Sequence, residues 1–142
     1  MLLLEIAQTS ERIAQTAARR AKIGELASCL RRLSPAEVPV AVAYLSGALP
    51  HGSIGVGWRS LESLPEPAAS SSTELLEADE TLRAIQGSAG PGSQGVRRRL
   101  LNELFSRLTQ AERLFLVGLM LGELRQGALQ GVMVEAVASA AE

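Results

Sequence analysis

Aromatic side chains make up only 3% of this 142-residue chain, one Trp, one Tyr and two Phe. Apolar residues reach 46% all the same, so the core has to be built from Leu, Ala and Val. Such a mixture favours helices packed through small and unbranched side chains over a β-sandwich. Cysteine occurs once, at Cys29, which excludes an intramolecular disulfide; its apolar neighbours mark it as a buried small hydrophobe in a reducing compartment. With His51 the single histidine, no credible metal cluster can be assembled from the two. Neither sign of charge dominates: 14 basic against 15 acidic residues leave a net charge of −1, so any anionic partner must be argued from where the charges sit. No apolar run reaches the roughly 18 residues of a membrane span. Met1-Leu2-Leu3-Leu4-Glu5 lacks a basic lead and meets an acid after three apolar residues, unlike a signal peptide. What remains is an all-α, cytoplasmic domain, a single unit over 1–142 with enough length to bury a core.

Periodicity and punctuation divide the chain. Residues 1–15, apolar at Leu3, Ile6 and Ile13, form a short amphipathic helix, and a second runs from about Ala17 to Arg32. Ser34-Pro35-Ala36-Glu37 supplies a cap, a proline suited to the first helical position and a glutamate that reaches back, opening a third helix that ends near Gly47. Trp58, after the turn-rich 50–57, plugs the edge of the core. Residues 65–72, Pro-Glu-Pro-Ala-Ala-Ser-Ser-Ser, are a linker by composition. Helical pattern resumes over Thr73–Ile85, where Glu74, Glu77, Asp79 and Glu80 read as a solvent face. After a glycine- and serine-dense loop over 87–95 come a helix from Val96 to Arg107, a second capping box at Thr109–Glu112, a helix to about Leu121 and a closing helix over Val132–Ala140.

The two boxes lie 75 residues apart. Shifted by that amount, residues 26–52 fall on 101–127 with nine identical pairs, among them Glu37/Glu112, Gly47/Gly122 and Gly52/Gly127. The pattern predicts two copies of one unit, helix, capped helix and a Gly-x-Leu-x-x-Gly turn, in halves of about 16–64 and 91–140. Each hairpin is amphipathic and packs on the other, about a pseudo-twofold axis. A duplication that only builds a stable helical core accounts for the same pattern.

The turns Gly47-Ala48-Leu49-Pro50-His51-Gly52 and Gly122-Glu123-Leu124-Arg125-Gln126-Gly127 place a glycine just past a helix end and a second five residues on. The first suits a left-handed helix termination; the second lets the backbone come close to a ligand, with free amides for a phosphate oxygen and Arg125 beside them. The other candidates open helices: Arg19, Arg20 and Lys22 in the first half, Ser93, Arg97, Arg98 and Arg99 in the second. Cations in a first turn oppose the helix dipole, so six of them at equivalent points of two repeats suggest an anionic partner, although a solvated arginine face is the commoner meaning of such residues.

These residues bring a family into view. Thr16-Ala17-Ala18-Arg19-Arg20-Ala21-Lys22-Ile23, Leu45-Ser46-Gly47-Ala48-Leu49-Pro50, Ile54-Gly55-Val56-Gly57-Trp58 and the second turn ahead of Val132-Met133-Val134-Glu135-Ala136-Val137 together resemble the N-terminal domain of bacterial ATP-dependent DNA ligases. The resemblance implies a helical domain that grips nicked double-stranded DNA mainly through its backbone, with nucleotidyltransferase and OB-fold domains in cis and no membrane, in a cytoplasmic, nucleoid-associated enzyme. By position, the phosphate contacts it implies are Arg19, Lys22, Gly47, Gly52, Ser93, Arg97, Gly122, Arg125 and Gly127. Glu123 and Pro50 depart from relatives that carry a base at those points. Ligases of this family adenylate a lysine in a Lys-x-Asp-Gly motif, whereas the single lysine here, Lys22, precedes Ile23-Gly24-Glu25. The resemblance therefore implies a segment without catalytic residues, ATP and Mg2+ being handled elsewhere in a longer ligase. A helical-repeat scaffold for protein interaction is the alternative.

Overall fold

A computed structural model of the chain describes residues 1–50, 61, 63–88, 90–122 and 130–141. Seven helices occupy them: α1 (Leu3–Ala14), α2 (Arg19–Arg31), α3 (Val38–Leu45), α4 (Leu75–Gly87), α5 (Ser93–Ser106), α6 (Gln110–Met120) and α7 (Gln130–Ala140). No strand occurs among the described residues, and extended pairing is confined to an isolated antiparallel bridge between Leu2 and Glu74. The fold is all-α.

Helix α1 is the hub. Its buried residues Leu3, Ile6, Ala7, Ser10 and Ile13 recur at helical spacing, and it packs on α2, α3, α4 and α6. The core around it is built mainly of Leu, Ile and Ala side chains with some Val and Met, and Tyr44, Phe105 and Phe115 fill the larger gaps; the rings of Tyr44 and Phe115 lie 6.3 Å apart at 51°. Packing is reciprocal between the first three helices and the next three. Helix α1 lies on α2 as α4 lies on α5, and α1 meets α6 as α4 meets α3. Helix α7 then lies along α2.

The starts of α1 and α4 solve each other's hydrogen-bonding problem. The first amides of a helix have no partner within it. Here Leu3 N–H donates to the Thr73 carbonyl and Leu75 N–H to that of Met1, both at 2.9 Å. The Met1 ammonium lies beside this exchange, bonded to a carboxylate oxygen of Glu37 and, at 2.9 Å, to one of Glu74.

Both capping-box glutamates act as expected, and each also receives a distant donor. Glu112 accepts from Thr109 N–H at 2.8 Å and, although fully buried, from the Ser71 hydroxyl at 3.1 Å. With Ala68 N–H donating to the Leu108 carbonyl at 2.8 Å, this ties the 65–72 segment to the α5–α6 turn. Glu37 accepts from Ser34 N–H at 2.8 Å as well as from Met1.

Several boundaries differ from those expected. Helix α3 begins at Val38, not at Pro35, because Pro39 has no N–H to give the Pro35 carbonyl; its first α-type bond is Ala41 to Glu37. Helix α2 starts at Arg19, since the Thr16 hydroxyl closes α1 by donating to the Arg12 carbonyl at 2.6 Å. Helix α5 begins at Ser93, one turn before Val96, because Gly92 takes a left-handed φ of 80° and turns the chain into the helix there. Asp79 does not belong to a solvent face. It is 3% exposed, accepts from the Tyr44 hydroxyl at 2.8 Å and faces Arg83 at 3.3 Å, fastening α3 to α4. Burial first, and then the Asp79 charge, push the Tyr44 phenol well above its usual range. Cys29 is buried as expected, and burial raises its thiol pKa.

Two outcomes follow from these contacts. Removing the buried acceptor with Glu112→Ala leaves the Thr109 and Ser71 donors unmatched and should lower stability by about 2–3 kcal/mol in urea unfolding; a loss near zero would sink that assignment. The Met1–Glu37 pair should stabilise only within a pH window. Its hydrogen bond raises the ammonium above 8.0, so stability is lost as pH climbs through that raised value. The same bond, helped by Ser34 N–H, lowers Glu37 below 4.5, so stability is lost as pH falls through that lowered value. The stability gap between wild type and Glu37→Gln should therefore be level in between and shrink on both sides, and a gap indifferent to pH would refute it.

Candidate nucleic-acid interface

Five of the seven described helix starts fall into two contrasting groups. Helices α1, α4 and α6 each carry a glutamate at the third helical position whose carboxylate accepts from the cap residue's amide: Glu5 from Leu2 at 3.3 Å, Glu77 from Glu74 at 3.3 Å and Glu112 from Thr109 at 2.8 Å. Those carboxylates occupy the positive end of the helix dipole. Helices α2 and α5 have no acid in the first turn and no side-chain cap, their cap residues being Ala18 and Gly92. At these two starts the basic residues gather. Arg19 and Lys22 share the first turn of α2 with Arg20; Ser93 opens α5, with Arg97, Arg98 and Arg99 one turn on.

Their side chains are not equally free. Arg19 Nη2 donates to Glu135 Oε1 on α7 at 2.9 Å, an exposed pair worth on the order of 0.5 kcal/mol in water. Arg97 is half-buried and donates through Nε and Nη2, at 3.1 and 2.8 Å, to the Ser88 carbonyl just past α4. Arg20, Arg98 and Arg99 are exposed, Lys22 is half-buried, and none of the four forms an ion pair with a described residue. Nothing in the local pattern announces Glu135 or Ser88 as partners. The Arg19 ion pair spans 116 positions and exists only because α7 lies on α2.

The glycine turns close α3 and α6. Gly47 has φ 86° and Gly122 φ 67°. Behind Gly47 the termination is complete, with Gly47 N–H on the Tyr44 carbonyl at 3.0 Å and Ala48 N–H on that of Ala43 at 2.9 Å. Gly122 N–H bonds the Leu119 carbonyl at 3.2 Å. Gly52, Arg125 and Gly127, with His51 and Trp58, lie outside the described residues. A groove of about 520 Å³ between α1 and α6 has Leu114 and Phe115 on one side; its Glu11 and Arg12 are already hydrogen-bonded within the fold, to Gln15 and Glu25.

Comparison with known proteins gives these features a setting. A family model described as DNA ligase N terminus matches residues 56–138, more than half of the chain. The chain belongs to the DNA ligase N-terminus family. It is 46% identical over its whole length to a probable DNA ligase of Rhodococcus jostii, 47% identical over 99% of its length to one of Streptomyces griseus and 46% identical over 99% to one of Anaeromyxobacter dehalogenans. In each case it spans 28% of the relative's length. Among the described residues of this ligase-family chain no helix is long and apolar enough to cross a membrane, and no group of three His, Cys, Asp or Glu could hold a metal ion.

The glycines allow a paired test. Gly122 has open space where a Cβ would stand, so Gly122→Ala should cost about 1–2 kcal/mol through its left-handed backbone alone. Gly24, in mid-α2 and equally open, should gain about 0.5–1 kcal/mol as Ala. Thermal unfolding of the two variants should move in opposite directions, and movement in the same direction would contradict the backbone argument.

Proposed function

We propose that this chain grips the sugar-phosphate backbone of nicked duplex DNA, without regard to sequence, and so positions the nick for an ATP-dependent DNA ligase of which it is part. The observation that carries the proposal is the contrast between helix starts: α2 and α5, in a chain of the ligase N-terminus family, lack the first-turn acids that α1, α4 and α6 have and gather bases within their first two turns. Uncapped amides, the positive end of a helix dipole and flanking guanidinium groups make a phosphate site. Arg19, Lys22 and Ser93, with Arg97 behind them, would form two such sites. The turns at Gly47–Gly52 and Gly122–Gly127, with Arg125, would add close backbone approach. An approximate twofold relation between α1–α3 and α4–α6 would set the two sites against phosphates on opposite strands; the reciprocal packing of the six helices supports it.

Holding phosphates fixes register and orientation but carries no base information. Arg19 would exchange Glu135 for phosphate, an exposed ion pair for a stronger charge-assisted one. The joining itself belongs to the rest of a full-length enzyme. The residues of this chain do not fit ATP-dependent adenylation, since Lys22 is followed by Ile23-Gly24-Glu25, and Mg2+ would be bound outside the described residues.

A second reading, a helical scaffold that binds protein, draws support from Leu114, Val134 and Val137, which are exposed. Fluorescence anisotropy with nicked and intact duplexes at several salt concentrations separates the two. With about four to six phosphates neutralised, log K should fall against log salt with a slope of about −4 to −5 and be the same for unrelated sequences. Absence of binding at low salt, or binding that ignores salt, would favour the scaffold.

A further inference from the structure

Arg97 differs from the other bases at the α5 start in having both a geometry and an occupation. Its Nε and Nη2 converge on one acceptor, the Ser88 carbonyl. Ser88 is itself knotted to the last turn of α4, its amide on the Ile85 carbonyl at 3.2 Å and its hydroxyl on that of Ala84 at 2.9 Å. Between Ser88 and Ser93 the chain passes Gly90 and Gly92, both left-handed, at φ 89° and 80°. Two such glycines give a short connection much conformational freedom, and α5 leaves it with no side-chain cap to fix its angle. The guanidinium removes that freedom from the far side of the loop. It also places a cation at the carbonyl end of α4, where the helix dipole favours one. The other end of α5 is held alike, by Arg113, whose Nε and Nη2 donate at 3.1 and 2.7 Å to the Phe105 carbonyl. Arg98 and Arg99, next in sequence to the clamp, are exposed and form no ion pair with a described residue.

We infer that Arg97 is a positioning residue for the DNA-holding end of α5, acting through the Ser88 carbonyl, while Arg98 and Arg99 are the side chains that meet phosphate. The inference rests on the backbone-gripping role proposed above and divides the labour within it. A phosphate drawing Arg97 away would take from Ser88 both of these bonds and release the loop that aims the helix. The clamp therefore stays closed in the complex.

Salt dependence distinguishes a side chain that touches phosphate from one that supports it. Removing a single phosphate-binding cation should reduce the slope of log K against log salt by about 0.9. With nicked duplex as the probe, Arg97→Gln should weaken binding about tenfold at every salt concentration, the equivalent of one charge-assisted bond, and leave the slope unchanged. Arg97→Lys, which keeps one donor and the charge, should restore part of that affinity. The double variant Arg98→Gln/Arg99→Gln should lower the slope by about 1.8. Amide hydrogen exchange, read without DNA, supplies an independent measure: Arg97→Gln should speed exchange at Val96, whose amide bonds the Gly92 carbonyl, and leave the buried turns of α1 as in wild type. A slope reduced by about 0.9 in Arg97→Gln would make Arg97 a direct phosphate ligand and overturn the inference. So would unchanged affinity, or unchanged exchange. Failure of the wild type to bind any duplex would remove the backbone-gripping role itself, and the exchange result would then leave Arg97 a clamp of the fold alone.

Discussion

Short helices have many ends, and helix ends are where a backbone must find hydrogen-bond partners outside its own ladder. The described helices run from 8 to 14 residues, so a large share of their amides and carbonyls falls in terminal turns. Much of what is specific in this structure answers that constraint. Leu3 and Leu75 exchange bonds with Thr73 and Met1, glutamates close the starts of α1, α4 and α6, glycines turn the chain out of α3 and α6, and Arg97 and Arg113 reach back to carbonyls at the ends of α4 and α5. The hydrophobic core supplies the bulk of the stability, as in any domain of this size. The ends decide how the helices meet.

On that view the proposed interface would be the part of the scheme left open. A start carrying its own carboxylate has no need of an outside anion and would repel one. Helices α2 and α5 lack that carboxylate, so the positive end of each dipole has no side-chain anion of its own. On the proposed reading, stability given up locally at two helix starts would become binding capacity, a common relation between fold and function. Both helices are held by their later turns, where Leu26, Leu30, Leu101, Leu104 and Phe105 are buried in the core.

Legibility in the sequence follows the range of each interaction. The Thr109–Glu112 box, the glycines after α3 and α6, and the burial of Cys29 and of the apolar α1 stripe are local patterns, and they stand in the structure as they stand in the sequence. The start of α3 lies one proline beyond its expected place, because Pro35 and Pro39 each suit a first turn and only the later one breaks the ladder behind it. Asp79 defeats a local reading because an acid among acids looks solvated until Tyr44, 35 positions away, is seen to point at it. The same limit applies to the basic residues. That they cluster at two helix starts is plain from the sequence, but which are committed within the fold is not, since Glu135 and Ser88 reach Arg19 and Arg97 only after the helices have packed.

Cys29 gives the molecule a reporter of its own motions. Its sulfur lies 3.9 Å from that of Met1, in the seam between α1 and α2 and beside the exchange that joins the starts of α1 and α4. Fully buried, with its pKa raised by that burial, it is a poor nucleophile while the seam is closed. A thiol reagent can reach it only when the packing around that seam opens, and α1, on one side of it, touches four other helices. The rate at which this single sulfur is modified is thus a clock for the opening of the hub, running in the unaltered chain without any introduced label.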